Sequence, residues 1–527
     1  MSFFKKNLSY FLIFLLLVTF AIRLTGLTFS PPGFFCDETS IGYNAFSILE
    51  TGKDEKGTPF PVFFKAFGDY KNPVYIYLAS ISIKLFGLSV WSVRFTSAFL
   101  GIASILLFIY FLRLIGQKWP FALSGGLVLS LMPWHFQFSR VAFEAISLVF
   151  FIILSMVFFA LYLQKKQPTF YLFFSLSMVV AFFAYSTGRL VIPISALIIA
   201  YLWREEIFKK RIIFLISTLA VLLLILILAY DHFIDPAGIL ARPQDILITD
   251  DHPLFYIVIT RFLTNYINHF SPEFLFQRGD LNLRHSSGVS SMLLTSFLLP
   301  LLWGLIYFFR QFKKSRLAQF LILQFFLFPL PASLTIIDEG AQATRTLHVV
   351  PFLALIIIFG FWNMVNFFKR EKKKYLTLAF LIFLTFESIM FYRNYFTVYP
   401  VLAINNFEGG MPEAMEFAFS QKAPYYYIST SVCKYRIEIP FFMKYPPAKF
   451  QEHLVFPNAR CLYSRKITNP IAGSIAVYKA TDFIPHFPKE KLLKTVFSSK
   501  ETVQQKTGTQ QELYVQKVTD LYYVYQY

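Results

Sequence analysis

Long apolar runs separated by short polar segments make up the chain as far as residue 392. An α-helix needs roughly 20 apolar residues to cross the hydrocarbon core of a bilayer, and most of these runs come close to that length. Several are shorter, so the ends of each run are defined only to within a few residues. The pattern predicts about eleven transmembrane helices, near residues 8–28, 92–112, 119–136, 142–163, 169–185, 190–203, 212–230, 289–309, 317–335, 346–368 and 375–392.

The pattern changes beyond residue 392, where the apolar runs become short and alternate with polar residues. Segment 411–420 (MPEAMEFAFS) has the composition of a short helix, and strand-like apolar and aromatic runs follow it at 425–430, 474–479 and 521–526. Alternating helix and strand signals indicate a small α/β domain. We therefore divide the chain into a transmembrane domain, 1–392, and a C-terminal α/β domain, 393–527.

The composition agrees with a membrane protein. Of the 527 residues, 56% are hydrophobic, and the mean hydropathy is +0.54. A soluble protein of this size could not cover so much apolar surface, whereas lipid solvates the outside of transmembrane helices. The only cysteines are Cys36, Cys433 and Cys461. They are too few for a disulfide scaffold and form no CxxC zinc pair, and Cys433 and Cys461 could either form one bridge or stay unpaired.

The formal net charge of +19 raises the question of nucleic-acid binding. The basic residues, however, stand in short clusters between apolar runs, whereas a nucleic-acid-binding protein presents one continuous basic surface on a folded domain. Short clusters are typical of loops held at an anionic membrane face. The distribution of charge therefore argues against nucleic acid as a partner.

Alternate loops differ sharply in charge, which predicts the orientation of the chain. One set of loops holds 19 Lys or Arg residues and three acidic residues, whereas the remaining positions up to residue 374 hold 14 basic and 16 acidic residues. The positive-inside rule places the basic set in the cytoplasm, together with the N-terminus. An odd number of spans then places the C-terminal domain outside the cell, in a multi-pass protein of the cell membrane. The basic set comprises residues 5–6, 113–118, 165–166, 204–211, 310–316 and 369–374.

The two long loops, 29–91 and 231–288, lie on the predicted outer side. Long loops in compact proteins usually carry function, so we expect the chemistry on this side. Segment 72–87 (NPVYIYLASISIKLFG) in the first loop is apolar but too short to span the bilayer. With Lys84 near its end, it is typical of a helix lying in the membrane interface.

Two adjacent carboxylates, Asp37 and Glu38, open the first outer loop in the segment PPGFFCDETS. At a membrane surface, one carboxylate of such a pair can take the proton from an attacking hydroxyl or amine while the other orients it or holds a cation. Two solvated loop acids at a helix start are the alternative, and the dipeptide alone favours that alternative.

A resemblance to known proteins favours the catalytic interpretation of Asp37 and Glu38 over that of solvated loop acids. It is carried by the segments CDETSIGYNAF (36–46), GDYKNPVYIYLASISIKLFGLSVWSVRFTSAFLG (68–101), MPWHFQFSRVAFEA (132–145), FAYSTGRL (183–190) and ATRTLHVVPFLAL (343–355). They resemble membrane glycosyltransferases of the GT-C class, in particular the protein O-mannosyltransferase and aminoarabinose-transferase superfamily (families 39 and 83). In that superfamily, an Asp-Glu pair, a Lys-Pro-Pro-like turn, an interfacial helix and an Arg precede the second span.

Here Asp37-Glu38 matches the acidic pair, Lys71-Asn72-Pro73 matches the turn and Arg94 matches the Arg. The resemblance implies an all-α GT-C fold and an inverting glycosyltransferase that uses a polyprenyl-phosphate-linked sugar on the outer face. It implies that Asp37 is the general base, with Glu38 in support. The expected partners are the donor lipid, membrane lipid and an acceptor that is a protein, a lipid or a glycan. Mannose is the commonest sugar in the family, but the sequence does not specify it.

One position departs from the aminoarabinose-type relatives, which have Glu directly before the Lys of the turn. This chain has Tyr70 there and Asp69 one position earlier. A metal site built on that Glu is therefore in doubt. We predict no metal ligands and no required cofactor, although the resemblance leaves a divalent metal open, and we keep Asp69 as a candidate substrate contact.

A phosphate leaving group needs cationic partners, because guanidinium groups bind phosphate oxygens through paired donors and stabilise developing charge. Four cations lie near predicted outer helix ends, against the positive-inside tendency. Taken singly, each is more simply an interfacial anchor. As a group we predict that they bind the donor phosphate, with Arg345 and Lys71 ranked first. The set comprises Lys71, Arg140, Arg189 and Arg345. Glu144 is expected to pair with Arg140 one helical turn earlier.

The segment SPEFLFQRGDLNLRHSSG (271–288) resembles the mobile outer loop of these transferases. It adds Arg278, Asp280 and His285 as candidate substrate contacts, although its spacing alone is that of an ordinary charged loop. Two other functions stay open. A transporter needs polar or broken helices near the bilayer midplane and usually an internal repeat, neither of which the sequence indicates. A non-catalytic cell-envelope assembly protein would leave the paired acids and the outer cations without explanation.

Overall fold

The computed structural model describes most of the transmembrane part of the chain and separate pieces of its C-terminal part. Within these residues the chain is mostly helical, and its contacts divide it into two compact units. The first unit comprises Met1–Thr25, Val62–Tyr75 and Phe95–Asn394, and the second comprises Gly26–Pro61, Ile76–Arg94 and Tyr395–Tyr527. The described residues are 2–66, 69–234, 248, 255–336, 340–429, 437–453, 459–462, 475–479, 492–497, 502–506, 512–516 and 520–526.

The first unit is a bundle of apolar helices with one two-stranded hairpin, in which β1 (Phe64–Ala66) pairs antiparallel with β2 (Asp69–Lys71). Proline stands in the first turn of several helices, where its missing N–H leaves no intrahelical bond unmade. The helices are Ser2–Leu24, Val90–Leu114 (from Phe95 on), Trp119–Leu131, Pro133–Phe138, Ala145–Lys165, Pro168–Ala184, Gly188–Leu202, Arg204–Phe208, Arg211–Ile234, Phe255–Asn268, Leu298–Gln311, Arg316–Leu327, Leu330–Ser333, Ala343–Thr346, Val350–Phe367 and Arg370–Thr397.

The helices Leu298–Gln311 and Val350–Phe367 approach each other unusually closely. A Cβ atom at Gly304 would lie 2.0 Å from the carbonyl oxygen of Ile356, and one at Gly360 would lie 1.9 Å from that of Pro300. Only glycine leaves room for such backbone contact, which is a common way of packing helices inside a bilayer. The core of the first unit is therefore built on backbone proximity as well as on side-chain packing.

Among the described residues, six helices are long and apolar enough to cross a membrane. Each of the eleven predicted spans coincides with a helix, so the prediction of a multi-pass helical membrane protein is confirmed, whereas the number of spans stays a prediction. The six are Val90–Leu114, Ala145–Lys165, Arg211–Tyr230, Arg316–Ser333, Ala343–Phe367 and Lys372–Thr397. Shorter apolar helices are Leu8–Leu24, Pro73–Phe86, Trp119–Leu131, Pro168–Ala184 and Gly188–Leu202.

The second unit combines helices with a mixed sheet. The strands are β3 (Tyr426–Ser429), β4 (Ala459–Leu462), β5 (Ile475–Lys479), β6 (Leu492–Phe497), β7 (Thr502–Lys506), β8 (Glu512–Gln516) and β9 (Asp520–Gln526). Five of them form a sheet with the order β4-β3-β5-β9-β6, in which β3 runs parallel to β4 and β5, while β9 runs antiparallel to β5 and β6. β7 and β8 form a separate hairpin. The helices are Cys36–Thr51, Pro73–Phe86 (from Ile76 on), Tyr399–Leu402, Met411–Ser420, Glu438–Met443 and Pro447–His453.

The helix predicted at 411–420 and the strands predicted near 425–430, 474–479 and 521–526 are all present. The boundaries between the two units differ from the boundary predicted at residue 392. Residues 26–61 and 76–94, which include most of the predicted first outer loop, cluster with the C-terminal part rather than with the helix bundle. The reason is packing between this loop and the C-terminal helices, which local periodicity does not reveal.

Candidate active site

The helix Cys36–Thr51 begins at the two acids that the sequence singled out. Glu38 is fully buried, whereas Asp37 is half-buried. The N–H of Phe35 donates a hydrogen bond to Glu38 Oε2 (3.2 Å), which is one half of a capping box at the helix start. Glu38 therefore fixes the first helical turn, and with it the position of Asp37.

Arg94 holds Glu38 in place. Its Nε and Nη2 donate to the two carboxylate oxygens of Glu38 (2.9 and 2.7 Å). Its Nη1 donates to the carbonyl oxygens of Leu27 (2.9 Å) and Pro31 (2.8 Å), and Nη2 also donates to that of Gly33 (2.9 Å). All five donors of the guanidinium are thus used, and both members of the ion pair are fully buried. Arg94 joins the loop before the helix to the carboxylate inside it.

These contacts change the role expected for Glu38. The sequence predicted that both acids take part in catalysis, with the second one orienting the acceptor or holding a cation. Both oxygens of Glu38 instead bind Arg94, and the side chain has no exposed surface. These contacts of Glu38 position the helix start, and its predicted part in catalysis stays a prediction. Asp37 is the acid of the pair with exposed surface. Arg94 was identified only by the resemblance.

Two short helices of the C-terminal part, Glu438–Met443 and Pro447–His453, pack against the helix that carries Asp37. Gln451 Nε2 donates a hydrogen bond to the carbonyl oxygen of Asp54, at 2.8 Å, just beyond that helix. The C-terminal part therefore supports the start of the first outer loop. The sequence contains no local signal for this contact, because its members lie about 400 positions apart.

Aromatic packing completes this support. The rings of Phe34 and Phe441 lie 5.0 Å apart, and the Tyr43 hydroxyl donates to the carbonyl oxygen of Tyr445 (3.0 Å). Burial raises the pKa of Tyr43, so its phenol stays protonated and keeps donating this bond. A Cβ atom at Gly42 would lie 2.6 Å from the Phe441 ring, so the two helices touch at a glycine.

In the first unit, the Lys71-Asn72-Pro73 turn is anchored by Glu144. The Asn72 N–H and its side-chain amide donate to the two oxygens of Glu144 (2.7 and 2.8 Å), and Arg189 Nη2 donates to Asn72 Oδ1 (3.0 Å). Lys71 is largely buried, and the guanidinium of Arg189 lies 4.5 Å from the centre of the Phe63 ring. The structure therefore brings together two of the predicted cations, Lys71 and Arg189, around one turn. The sequence had favoured Arg140 as the partner of Glu144.

Arg140 has a different set of contacts. It is fully buried, and it donates to the carbonyl oxygens of Ile22 (2.9 Å), Arg23 (2.8 Å) and Thr25 (2.7 Å). The carbonyls of Ile22 and Arg23 belong to the last turn of the helix Ser2–Leu24, where carbonyls lack intrahelical partners, and Thr25 directly follows this helix. Arg140 therefore closes this helix. These contacts give Arg140 a structural role, and its predicted role in binding donor phosphate stays a prediction.

Arg23 is a further fully buried arginine, and the sequence did not predict a role for it. Arg23 Nη2 donates to the carbonyl oxygen of Ser130 (2.6 Å) and lies 3.4 Å from His135 Nδ1. The ring of Phe136 is contacted by the guanidinium groups of both Arg23 (5.1 Å) and Arg140 (5.5 Å). The sequence did contain a signal for Arg23, namely a charged residue inside an apolar run. Such a residue requires specific partners when it is buried.

The loop 271–288 is tied to the segment that carries Arg345. Asp280, which is almost fully buried, accepts hydrogen bonds through Oδ2 from the N–H of Ala343 (2.7 Å) and from His285 Nδ1 (3.2 Å). Arg345 is half-buried and donates to Thr335 Oγ1. Asp280 and His285 are therefore joined as the sequence suggested, but their visible task is to fasten the loop beside Arg345.

His269 fastens the same segment from another side. Its Nε2 accepts a hydrogen bond from the N–H of Gln342 (3.0 Å), so its Nδ1 carries the proton that is donated to the carbonyl oxygen of Asn265 (2.7 Å). Burial lowers the pKa of His269, which keeps the imidazole neutral and able to accept. The sequence gave no indication of this residue.

The remaining candidates lie apart from these contacts or cannot be placed. Arg278 forms a solvent-exposed ion pair with Glu273 (3.2 Å), an arrangement that contributes little energy. The backbone of Asp69 lies in β2, and its side chain lies outside the described residues, as does Cys433. Within the described ranges, no group of three or more His, Cys, Asp or Glu side chains is arranged to hold a metal ion.

Residues 70–230 match the family model described as dolichyl-phosphate-mannose-protein mannosyltransferase. No curated protein sequence matches the chain significantly.

Solved structures share its fold at low identity. ArnT from Cupriavidus metallidurans in the apo state is 13% identical, with a TM-score of 0.53, over 98% of this chain and 97% of that chain. The same protein bound to undecaprenyl phosphate is 12% identical, with a TM-score of 0.51, over 90% and 93%. The apo oligosaccharyltransferase of Archaeoglobus fulgidus is 12% identical, with a TM-score of 0.50, over 84% of this chain and 64% of that chain. Such identities show a shared fold and not a shared substrate. The resemblance predicted from the sequence is confirmed: residues 70–230 match the dolichyl-phosphate-mannose-protein mannosyltransferase family, and the chain has the fold of ArnT.

Proposed function

We propose that this chain is an inverting glycosyltransferase that moves a sugar from a polyprenyl-phosphate donor to an acceptor on the outer face of the membrane. The environment of Asp37 carries the proposal. Asp37 is half-buried at the start of a helix, next to a buried carboxylate whose two oxygens accept hydrogen bonds from Nε and Nη2 of Arg94. A surface decoration needs no such support, whereas a catalytic carboxylate has to be held in place. The family match over residues 70–230 supports the same reaction.

Asp37 is the proposed general base. A carboxylate is ionised near neutral pH, so it can take the proton from the acceptor hydroxyl or amine as the acceptor attacks the anomeric carbon. The bond from the anomeric carbon to the phosphate oxygen breaks on the opposite face, which inverts the configuration. Polyprenyl phosphate leaves with the electron pair of that bond.

Lys71, Arg189 and Arg345 are the proposed partners of the leaving phosphate. Lys71 and Arg189 share the turn that Asn72 and Glu144 hold together, so their charges are positioned before the donor binds. Cations that are placed in advance stabilise the charge that develops on the leaving oxygen. Asp69, Asp280 and His285 remain proposed contacts of the substrate loop. No metal is part of this proposal.

The experiment is transfer from a polyprenyl-phosphate-linked sugar by the purified, reconstituted chain. We expect Asp37→Asn to lower turnover by about 100- to 10,000-fold, the usual contribution of a general base, while its thermal unfolding stays close to that of the wild type. Glu50→Gln is the matched control, because Glu50 lies exposed on the same helix and should retain full activity. Full transfer by Asp37→Asn would refute the catalytic assignment.

The sugar and the acceptor are identified by a separate measurement. Mass spectrometry of glycans on proteins and lipids is compared between cells that produce the wild type and cells that produce Asp37→Asn. The proposal expects one hexose- or pentose-bearing class of glycan to disappear in the second culture. An unchanged glycan profile would contradict it.

A further inference from the structure

A basic pocket lies at one end of the helix bundle, in the first unit. It has a volume of about 380 Å³, and its charged residues are Arg204, Glu205, Lys313, Lys314 and Arg316. They come from two loops of the basic set that the positive-inside rule places in the cytoplasm. Neither the candidate active site nor the family resemblance involves these residues.

The basic pocket has a strong excess of positive charge. Four cations face one carboxylate, Glu205, inside it, and the lysines are exposed at its rim. Arg316 is anchored, because its Nη1 donates to both oxygens of Glu206 (2.8 and 3.0 Å). A concave surface lined by one sign of charge concentrates counter-ions, so this pocket is suited to an anion.

An apolar cavity is lined by residues that neighbour those of the basic pocket in the sequence. It has a volume of about 210 Å³ and is lined by apolar surface. The two share two helices, Gly188–Leu202 and Arg316–Leu327. Neighbouring residues line one or the other, namely Leu202 and Trp203, Arg316 and Leu317, and Gln319 and Phe320. A molecule with an anionic head could therefore place an apolar chain in the adjoining space.

A second apolar cavity lies on the other side of the helix Gly188–Leu202. Its volume is about 440 Å³, and it shares Phe174, Met178, Ile192 and Ile199 with the first cavity. The first cavity and the second one beside it offer apolar space for the two acyl chains of a lipid. A small soluble anion would make no use of either cavity.

We propose that the basic pocket and the two apolar cavities bind a diacyl phospholipid with an anionic headgroup from the cytoplasmic leaflet. The phosphate lies among Lys313, Lys314 and Arg316, and the chains occupy the apolar cavities. Basic pockets between transmembrane helices on the cytoplasmic side are suited to anionic lipid headgroups. This site is independent of the proposed transfer reaction.

The test uses the full-length protein in nanodiscs of dioleoyl phosphatidylglycerol and dioleoyl phosphatidylcholine. The lipid retained after extraction is identified by native mass spectrometry. We expect preferential retention of phosphatidylglycerol by the wild type and a loss of roughly thirtyfold in preference for Lys313→Gln/Lys314→Gln, at about fivefold per charge near a membrane surface. Lys165→Gln/Lys166→Gln is the matched control, because these exposed lysines belong to the same basic set but lie outside the pocket.

Equal losses in both double variants would overturn the proposal, since they would indicate only general attraction between a basic face and anionic lipid. A second arm distinguishes the sources of phosphate. We expect glycerol phosphate and inorganic phosphate to compete only weakly with the long-chain lipid, because they cannot fill the apolar cavities. Competition by either at the same concentration as the lipid would likewise overturn it.

Discussion

Three buried arginines of this chain are held largely by backbone carbonyl oxygens. Arg94 donates to three carbonyls in addition to Glu38, Arg140 donates to three at the end of the first helix, and Arg23 donates to that of Ser130. A buried charge is costly unless its hydrogen bonds are satisfied, and carbonyls satisfy donors without requiring a second ion. At the scale of the residue, polar groups in the interior fix the shape of the backbone as much as they balance charge.

The Glu38–Arg94 pair should be essential for stability as well as for activity. Arg94→Lys replaces five donors in a planar fork by a single ammonium, so Glu38 and several carbonyls lose their partners. We expect this variant to lose about 3–5 kcal/mol of unfolding free energy, the usual cost of breaking a buried pair. Chemical denaturation in detergent measures it. Stability equal to that of the wild type would show that the pair does not hold the helix start.

His269 should make stability depend on pH. Burial lowers its pKa, so the unfolded chain binds a proton at pH values where the native imidazole stays neutral. The unfolding free energy should therefore be fully retained above about pH 6.5 and fall as the pH decreases below that value. His269→Gln can still accept the Gln342 N–H but does not titrate, so its unfolding temperature should fall less steeply between pH 7 and pH 5. Parallel pH profiles of the two proteins would contradict this role.

At the scale of the element, the helix Cys36–Thr51 is braced by segments far away in the sequence. Its first turn is fixed by Arg94, and its flank contacts the short helices Glu438–Met443 and Pro447–His453. Gly42 marks the point of contact, because a Cβ atom there would lie 2.6 Å from Phe441 and 2.9 Å from Val93. The position of Asp37 thus depends on a tertiary fit along the whole helix.

Gly42→Ala tests this fit, and two effects of opposite sign decide the outcome. Alanine favours the helix by about 1 kcal/mol over glycine, whereas overpacking costs about 1–3 kcal/mol. The contact is short enough for overpacking to dominate, so we expect a lower unfolding temperature and lower transfer activity. Adding Phe441→Leu should restore part of both. A Gly42→Ala variant more stable than the wild type would show that the two helices are not in contact.

At the scale of the whole molecule, the proposed reaction requires a defined orientation in the membrane. Positive charge in alternate loops predicts that residues 165–166 and 310–316 lie on the cytoplasmic side and the loop 271–288 on the outer side. The same rule predicts that the C-terminal part lies outside, on the side where the acceptor is expected.

Cysteine labelling in intact cells tests this orientation. Single reporters are introduced as Leu281→Cys and Lys313→Cys, at two exposed positions, after the three native cysteines have been replaced by alanine. We expect a membrane-impermeant maleimide to label the first reporter in intact cells and the second only after permeabilisation. The reverse pattern would invert the topology and would contradict the proposed outer-face reaction.

Hydropathy alone predicted much of the fold, because the apolar length of a span is a local property of the chain. Each predicted span coincides with a helix, and the resemblance located Asp37, Lys71 and Arg94. The hydrogen-bond partners of individual side chains could not be predicted in the same way. Glu38 and Arg94 lie 56 positions apart, and Gln451 lies 397 positions from Asp54, so only the folded chain brings them together. Arg140 was noticed as an unusual cation, but its contacts with the carbonyl oxygens of Ile22 and Arg23 could not be predicted from its position in the sequence.

The contact between segment 437–453 and the helix of Asp37 affects how genetic lesions in this chain are to be interpreted. A stop codon before residue 437 would remove the ring that touches Gly42 and the amide that binds Asp54. The acids and cations of the amino-terminal part would all be encoded, yet the helix that carries Asp37 would lack the segment that packs against it. An inactive truncation allele would therefore show the loss of this packing support, and any separate role of the C-terminal strands has to be examined with point substitutions.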